Sequence, residues 1–197
     1  MIKHLLKIKP KQYLQQRFGY CGCYTIKAIL SAFGKDSKKP PKKYHPYNWK
    51  RFGRMLPKDM IFTLEKYGFN ARIKSANDLS NKQKIEALKQ ELRKNKPVIL
   101  LVGNGYFWSG KYSPLRRFFI SHWISLWGFD DEKKIVYVYD SILSPEGAKK
   151  LPIGNTTRTY KEILRDWKGV FYCPKYLYIV LLTKEYFIIP TSISKLA

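Results

Sequence analysis

Gln15-Gln16-Arg17-Phe18-Gly19-Tyr20-Cys21-Gly22-Cys23-Tyr24 runs straight into Thr25-Ile26-Lys27-Ala28-Ile29-Leu30-Ser31-Ala32-Phe33. The first part reads as a loop that stops at a cysteine, and the cysteine opens a helix. Cys21, Tyr24, Ile26, Ala28, Ile29 and Phe33 fit a largely buried helix rather than a sharply two-faced one. Gly34 stops it as a C-terminal glycine does, and Gly22 removes side-chain bulk beside Cys21. Free N–H groups at a helix start favour negative charge. A cysteine placed there has its thiolate favoured and becomes a usable nucleophile. A lone cysteine on a core helix is otherwise an inert buried thiol, so the rest of the chain has to decide between the two.

With 197 residues the chain fits one domain, 1–197, with 1–14 as an N-terminal arm and 186–197 as a C-terminal tail. Apolar residues make up 45%, including 15 Tyr, 11 Phe and 5 Trp, which is enough for a sizeable core and argues against disorder. The net charge is +24, from 38 Lys and Arg against 14 Asp and Glu. That balance attracts polyanions: nucleic acid, an anionic membrane surface or an acidic protein. The basic residues are spread along the whole chain, as a lysine-rich proteome would also give. Lys38-Lys39-Pro40-Pro41-Lys42-Lys43 with Tyr44, His45, Tyr47 and Trp49 has the alternation of a nucleic-acid patch, or of a solvated loop pinned by its aromatics. Three cysteines, Cys21, Cys23 and Cys173, make no disulfide framework. No Cys/His cluster suggests a metal, and no cofactor is expected. The N-terminus is too broken by lysine for a signal peptide, and no run reaches the length of a membrane span. A cytoplasmic protein with reduced thiols is expected.

Along the chain, 35–50 reads as a non-helical connector because of its prolines. Pro57 to Tyr67 reads as a helix, Phe69 to Ser75 as a strand, and a helix capped by Ser80-Asn81 carries Ile85, Leu88 and Leu92 on one face. Val98-Ile99-Leu100-Leu101-Val102 is a buried central strand. Gly103 to Phe118 is a long loop, of a length usually reserved for function. Phe119 to Phe129 and Ile135 to Tyr139 are strands either side of an Asp130-Asp131-Glu132-Lys133 turn. Residues 141–160 look loop-rich, Tyr160 to Trp167 helical, and Tyr176 to Leu182 a final strand. Helices first and antiparallel strands after indicate an α+β fold.

A hairpin turning near residue 131 sets His122 opposite Asp140. Cysteine, histidine and carboxylate together allow nucleophilic catalysis. The imidazole takes the thiol proton and later protonates the leaving group, while the carboxylate fixes its tautomer.

Gln15…Cys21-Gly22, Lys96-Pro97-Val98-Ile99-Leu100-Leu101-Val102, His122…Gly128-Phe129-Asp130-Asp131 and Val136-Tyr137-Val138-Tyr139-Asp140, in that order, resemble the C39 and C39-like peptidases of the papain superfamily. The resemblance spans most of residues 12–185. It implies a papain-like fold, with a helical N-terminal half packed on an antiparallel sheet and the site in the cleft between. It implies Cys21 as nucleophile, His122 as general base and acid, Asp140 as orienting carboxylate, and Gln15, six residues before Cys21, as oxyanion donor beside the Cys21 N–H. Gln16 is the alternative to Gln15 after a one-residue slip. Tyr20 stands where the family often carries Asp, Cys23 where a small or apolar residue is usual, and Ser141 where Pro follows the carboxylate.

The reading these residues support is a cofactor-free thiol peptidase or amidase acting on a peptide or protein. The loop 103–118, with Tyr106, Phe107, Trp108, Lys111, Arg116 and Arg117, would influence substrate choice, and the charge favours an acidic or extended peptide. The alternatives are a transglutaminase-like acyltransferase, in which an amine replaces water, and a non-catalytic basic module for nucleic acid or an anionic surface.

Overall fold

The computed structural model describes residues 2–16, 18–35, 38–46 and 53–182. The expected tail at 186–197 and the aromatics Tyr47 and Trp49 lie outside them. The strands are β1 (Lys3–Leu5), β2 (Asn70–Ser75), β3 (Val98–Gly103), β4 (Ser121–Asp130), β5 (Ile135–Tyr139), β6 (Thr156–Thr159) and β7 (Leu177–Leu182). The helices are α1 (Cys21–Ala32), α2 (Pro57–Lys66), α3 (Asn81–Arg93), α4 (Pro114–Phe119) and α5 (Tyr160–Trp167). The strands form one sheet in the order β2-β7-β3-β4-β5-β6, with β1 added to β4. Every pairing is antiparallel. The fold is therefore the expected α+β type.

β3 is the apolar run Val98-Ile99-Leu100-Leu101-Val102, buried at every position, and β4 beside it is buried from His122 to Asp130. Strands buried at successive residues have both faces covered. α1 packs on β4 and touches α2, while α3 packs on β3 and β4, α5 on β3 and β6, and the two helices on each other. Each fully buried aliphatic side chain in this core contributes about 1.5–3 kcal/mol of transfer free energy.

Four expectations need correction. The hairpin loop is residues 131–134, closed by Asp130 opposite Ile135, and its N–H groups at Glu132 and Lys133 donate to the Asp130 side chain. A bulge at Trp127 takes back one residue of the three-residue offset this loop creates, so Ser125 faces Tyr139. His122 and Asp140 are thus diagonal rather than directly opposite, still within reach of a long side chain. The loop after β3 ends in α4, with Ser113 as its N-cap and Pro114 in the first turn, so Phe119 belongs to a helix and not to β4. The stretch 141–160 contains a 3-10 turn, Pro145–Lys150, and the edge strand β6. The basic connector also carries a 3-10 turn, Pro41–Tyr44, which tolerates Pro41 because the first turn needs no N–H from it. No helix among the described residues is long and apolar enough to cross a membrane.

Candidate active site

α1 begins at Cys21 itself. Tyr20 precedes it in a left-handed conformation, φ 62°, which turns the incoming loop sharply onto the helix axis. A Cβ at Gly22 would lie 2.9 Å from the sulfurs of both Met55 and Met60, so the glycine lets α1 sit tightly on the start of α2. The loop before α1 is stitched to the segment just after Asp140. The Gln16 N–H donates to the Ser141 carbonyl at 2.7 Å, the Ser141 hydroxyl donates to Gln16 Oε1 at 2.6 Å, and Gln15 Nε2 donates to the Ile142 carbonyl at 2.9 Å. Ser141, where the family pattern has proline, thus supplies a hydrogen bond that proline lacks.

Cys21, His122 and Asp140 come together. His122 is 2% exposed and Asp140 fully buried. His122 Nε2 bonds Asp140 Oδ1 at 2.7 Å. The imidazole also lies close enough to the Cys21 thiol to act on its ionisation, and with Nε2 on Asp140 it is Nδ1 that is left for sulfur. Burial pushes the Cys21 thiol up, but the His122 hydrogen bond and charge, helped by the N–H groups of Trp123 and Gly22, bring it below its ordinary value. Burial pushes His122 down, and the Asp140 charge and hydrogen bond outweigh it, raising the imidazole to about 9. Burial likewise opposes ionisation of Asp140, yet the His122 and Arg158 charges hold it at about 2. The arrangement favours thiolate, imidazolium and carboxylate side by side.

The other two thiols lie in different surroundings. Cys23 is fully buried with its sulfur 3.5 Å from that of Met55, and burial pushes it up to about 12. Cys173 is also raised by burial, against an opposing pull from Arg54.

Gln15 is exposed, whereas Gln16 is 6% exposed and turned inward to Ser141. Cys21 opens on a cavity of about 660 Å³ walled by Phe18, Tyr20, Met55, Leu56, Phe119, Trp123 and Tyr172. Neither glutamine is among the residues lining it.

Sequence reasoning missed the groups behind Asp140. Arg158 of β6 is 2% exposed and bridges two buried carboxylates: its Nη2 pairs with Asp140 Oδ2, and its Nη1 lies 3.7 Å from Asp166. Asp166 is held in turn by Arg165 at 2.8 Å and by the Tyr112 hydroxyl at 2.9 Å. Tyr106 stacks on the Arg158 guanidinium, 4.5 Å from ring centre to cation. The loop 103–113 is therefore anchored on the charge network behind the site. Asn155 brackets Asp140 by accepting its N–H at 2.8 Å and donating to its carbonyl at 2.9 Å. A Cβ on Gly147 would run into the Asn155 carbonyl. Gly147→Ala should therefore cost about 1–3 kcal/mol by overpacking, a fall in Tm of roughly 2–12 °C for a chain this size. Thermal unfolding followed by circular dichroism checks this.

The described residues contain no cluster of His, Cys, Asp or Glu suited to a metal ion. What the site does contain, a thiol at a helix start beside an imidazole on an adjoining antiparallel sheet, is the arrangement of papain-like thiol peptidases. A family model for the Peptidase_C39 like family matches residues 6–168. The chain belongs to that family and is a thiol peptidase of papain-like fold. No curated protein matches it in sequence. Among solved structures, the peptidase domain of Streptococcus ComA, a bifunctional ABC transporter of a quorum-sensing pathway, is similar with a TM-score of 0.59. It has 14% identity, over 88% of this chain and 98% of that one. A C39-like peptidase described from Bacillus anthracis gives 0.59 and 14%, over 93% and 99%. A double-glycine-motif protease from an AMS/PCAT transporter, in complex with its leader peptide, gives 0.52 and 15%, over 92% and 98%. These identities carry the likeness of fold alone.

Proposed function

We propose that the chain hydrolyses a peptide or isopeptide bond through a thioester on Cys21, with His122 as acid and base and Asp140 as its orienting carboxylate. The observation that carries this reading is the bond of His122 to Asp140 at 2.7 Å beside Cys21, in a setting that lowers the thiol below its ordinary value. The thiolate attacks the scissile carbonyl carbon, and the electron pair moves to oxygen. The Cys21 N–H at the helix start is one donor to that oxyanion. The amide of Gln15 is the second; it has two N–H groups, and Ile142 occupies one. Collapse of the intermediate breaks the C–N bond, and the His122 imidazolium gives its proton to the departing amine. Water then attacks the thioester, His122 takes its proton, and the acid leaves with the thiolate restored.

Iodoacetamide near neutral pH, read by mass spectrometry, tests the assignment. Cys21 should be alkylated ahead of Cys23 and Cys173, and the preference should vanish in His122→Ala. Equal labelling of the three thiols would sink it. If an added primary amine captures the acyl group in preference to water, the acceptor assignment moves to acyl transfer.

Hydrolysis should follow a bell with pH. The acid limb rises as Cys21 and His122 reach the thiolate–imidazolium pair, below an ordinary cysteine value of about 8.5. The alkaline limb falls near pH 9, where His122 loses the proton it must donate. The two limbs belong to the coupled pair rather than to either group alone. A rate climbing steadily through pH 9–10 would contradict the role given to His122.

A further inference from the structure

Among the described residues, the cavity beside Cys21 has one charged side chain in its lining, Arg54; the other lining residues named above are apolar or aromatic. Two cations lie on its aromatic walls. The Arg54 guanidinium sits 5.0 Å from the Tyr172 ring centre, and Lys42 Nζ sits 5.3 Å from that of Tyr20. Acids are missing from the sequence that builds it. The lining residues come from 18–21, 53–56, 119–123 and 172. None of the 14 acidic residues falls within 1–35, 37–58, 92–129 or 167–184, the stretches that contain them all. The nearest acid along the chain to a lining residue, Asp59, is 7% exposed and accepts the Leu56 N–H at 2.8 Å as the cap of α2. Asp140 is shielded behind His122 and neutralised by Arg158.

On the reading that Cys21 is the nucleophile, we infer that this cavity takes an acidic peptide segment, seating an apolar side chain against Tyr20, Met55 and Phe119 with a carboxylate beside it on Arg54. An apolar slot next to a nucleophilic sulfur suits a peptide side chain. A nucleic acid would need cations spaced along a track and open stacking faces, whereas both tyrosines here are already covered by cations. Lys42, over the Tyr20 ring, adds a longer-range attraction and the +24 net charge a general one. Arg54 is the specificity-determining residue, because its planar guanidinium can hold a carboxylate through two donors while resting on Tyr172.

The test uses two affinity labels that differ in one residue, acetyl-Glu-Leu-Ala-chloromethyl ketone and acetyl-Lys-Leu-Ala-chloromethyl ketone. Each alkylates a thiolate with loss of chloride. The Glu reagent should inactivate Cys21 about tenfold faster than the Lys reagent at low salt, and the ratio should shrink as salt is added. Arg54→Gln should lower the ratio about threefold to fivefold, the scale of one exposed charge contact, and leave the rate with iodoacetamide unchanged. Arg54→Lys should recover part of the ratio. Equal rates for the two reagents, or a ratio untouched by Arg54→Gln, would overturn the inference. So would a single-stranded oligonucleotide that protects Cys21 from both reagents, since the polyanion would then be nucleic acid. Loss of selective iodoacetamide labelling at Cys21 would instead count against the nucleophile, so the two failures are distinct.

Discussion

His122→Ala should lower kcat/KM on any cleaved peptide by about a thousandfold or more, with the protein still folded. Two losses combine. The imidazolium that holds the Cys21 thiol below its ordinary value disappears, and burial, the largest opposing influence, then pushes the thiol up. The general acid for the leaving amine disappears as well, and positioned acid–base groups contribute roughly 10²–10⁴-fold. Because the residues act as a unit, Cys21→Ala and the double variant should fall to about the same residual rate instead of multiplying. Folding should survive because Asp140 keeps Arg158 and the Ile142 N–H. Circular dichroism and a Tm measured alongside the kinetics separate lost chemistry from lost structure. A folded His122→Ala variant within tenfold of the parent would remove His122 from the mechanism.

How much of this was legible follows from how local each signal is. The helix opening at Cys21 could be read because its loop, its apolar spacing and Gly34 are contiguous. β3 could be read because five apolar residues in a row between Pro97 and Gly103 leave few options. The meeting of His122 with Asp140 could be read although the register was two residues off. A hairpin keeps its strands within side-chain reach wherever the turn is centred, so a later turn, partly offset by the Trp127 bulge, moved the pair to a diagonal without parting it. α4 was also open to reading: Ser113-Pro114 is a cap followed by a first-turn proline. Arg158 was not. It sits in a four-residue edge strand, Thr156–Thr159, too short for a periodic pattern, and a basic residue there reads as exposed in a chain with 38 of them. Only the fold reveals that it faces two carboxylates, one just after β5 and one in α5.

Arg158→Met should accordingly destabilise the fold by about 3–5 kcal/mol, the usual cost of removing one member of a buried ion pair. For a protein with a typical total of 5–15 kcal/mol that is a large share. It corresponds to a Tm lowered by roughly 6–20 °C. Methionine fills much of the volume, so the cost arises from charge: among the described residues Asp140 keeps His122 as its cationic partner and Asp166 keeps Arg165. The pH dependence distinguishes this from a packing defect. Asp140 is held at about 2 in the fold against about 3.9 when unfolded. A depressed carboxylate contributes stability that is present above the unfolded value and lost as pH falls through the folded one. Without Arg158 the Asp140 carboxyl rises and that contribution shrinks, so the gap between parent and variant should be widest near neutral pH and narrow from about pH 4 towards pH 2. A packing defect would leave the gap flat. Arg158→Lys keeps the charge but not the fork that spans both carboxylates, and should recover part of the stability. Activity should fall in Arg158→Met by about tenfold at 25 °C, because Asp140 loses the partner on its far oxygen and holds the His122 ring less firmly. Denaturant unfolding across pH 3–8 with the three proteins reads the stability. A Met variant melting within 2 °C of the parent at every pH would mean that Arg158 carries neither the charge balance nor the geometry assigned to it.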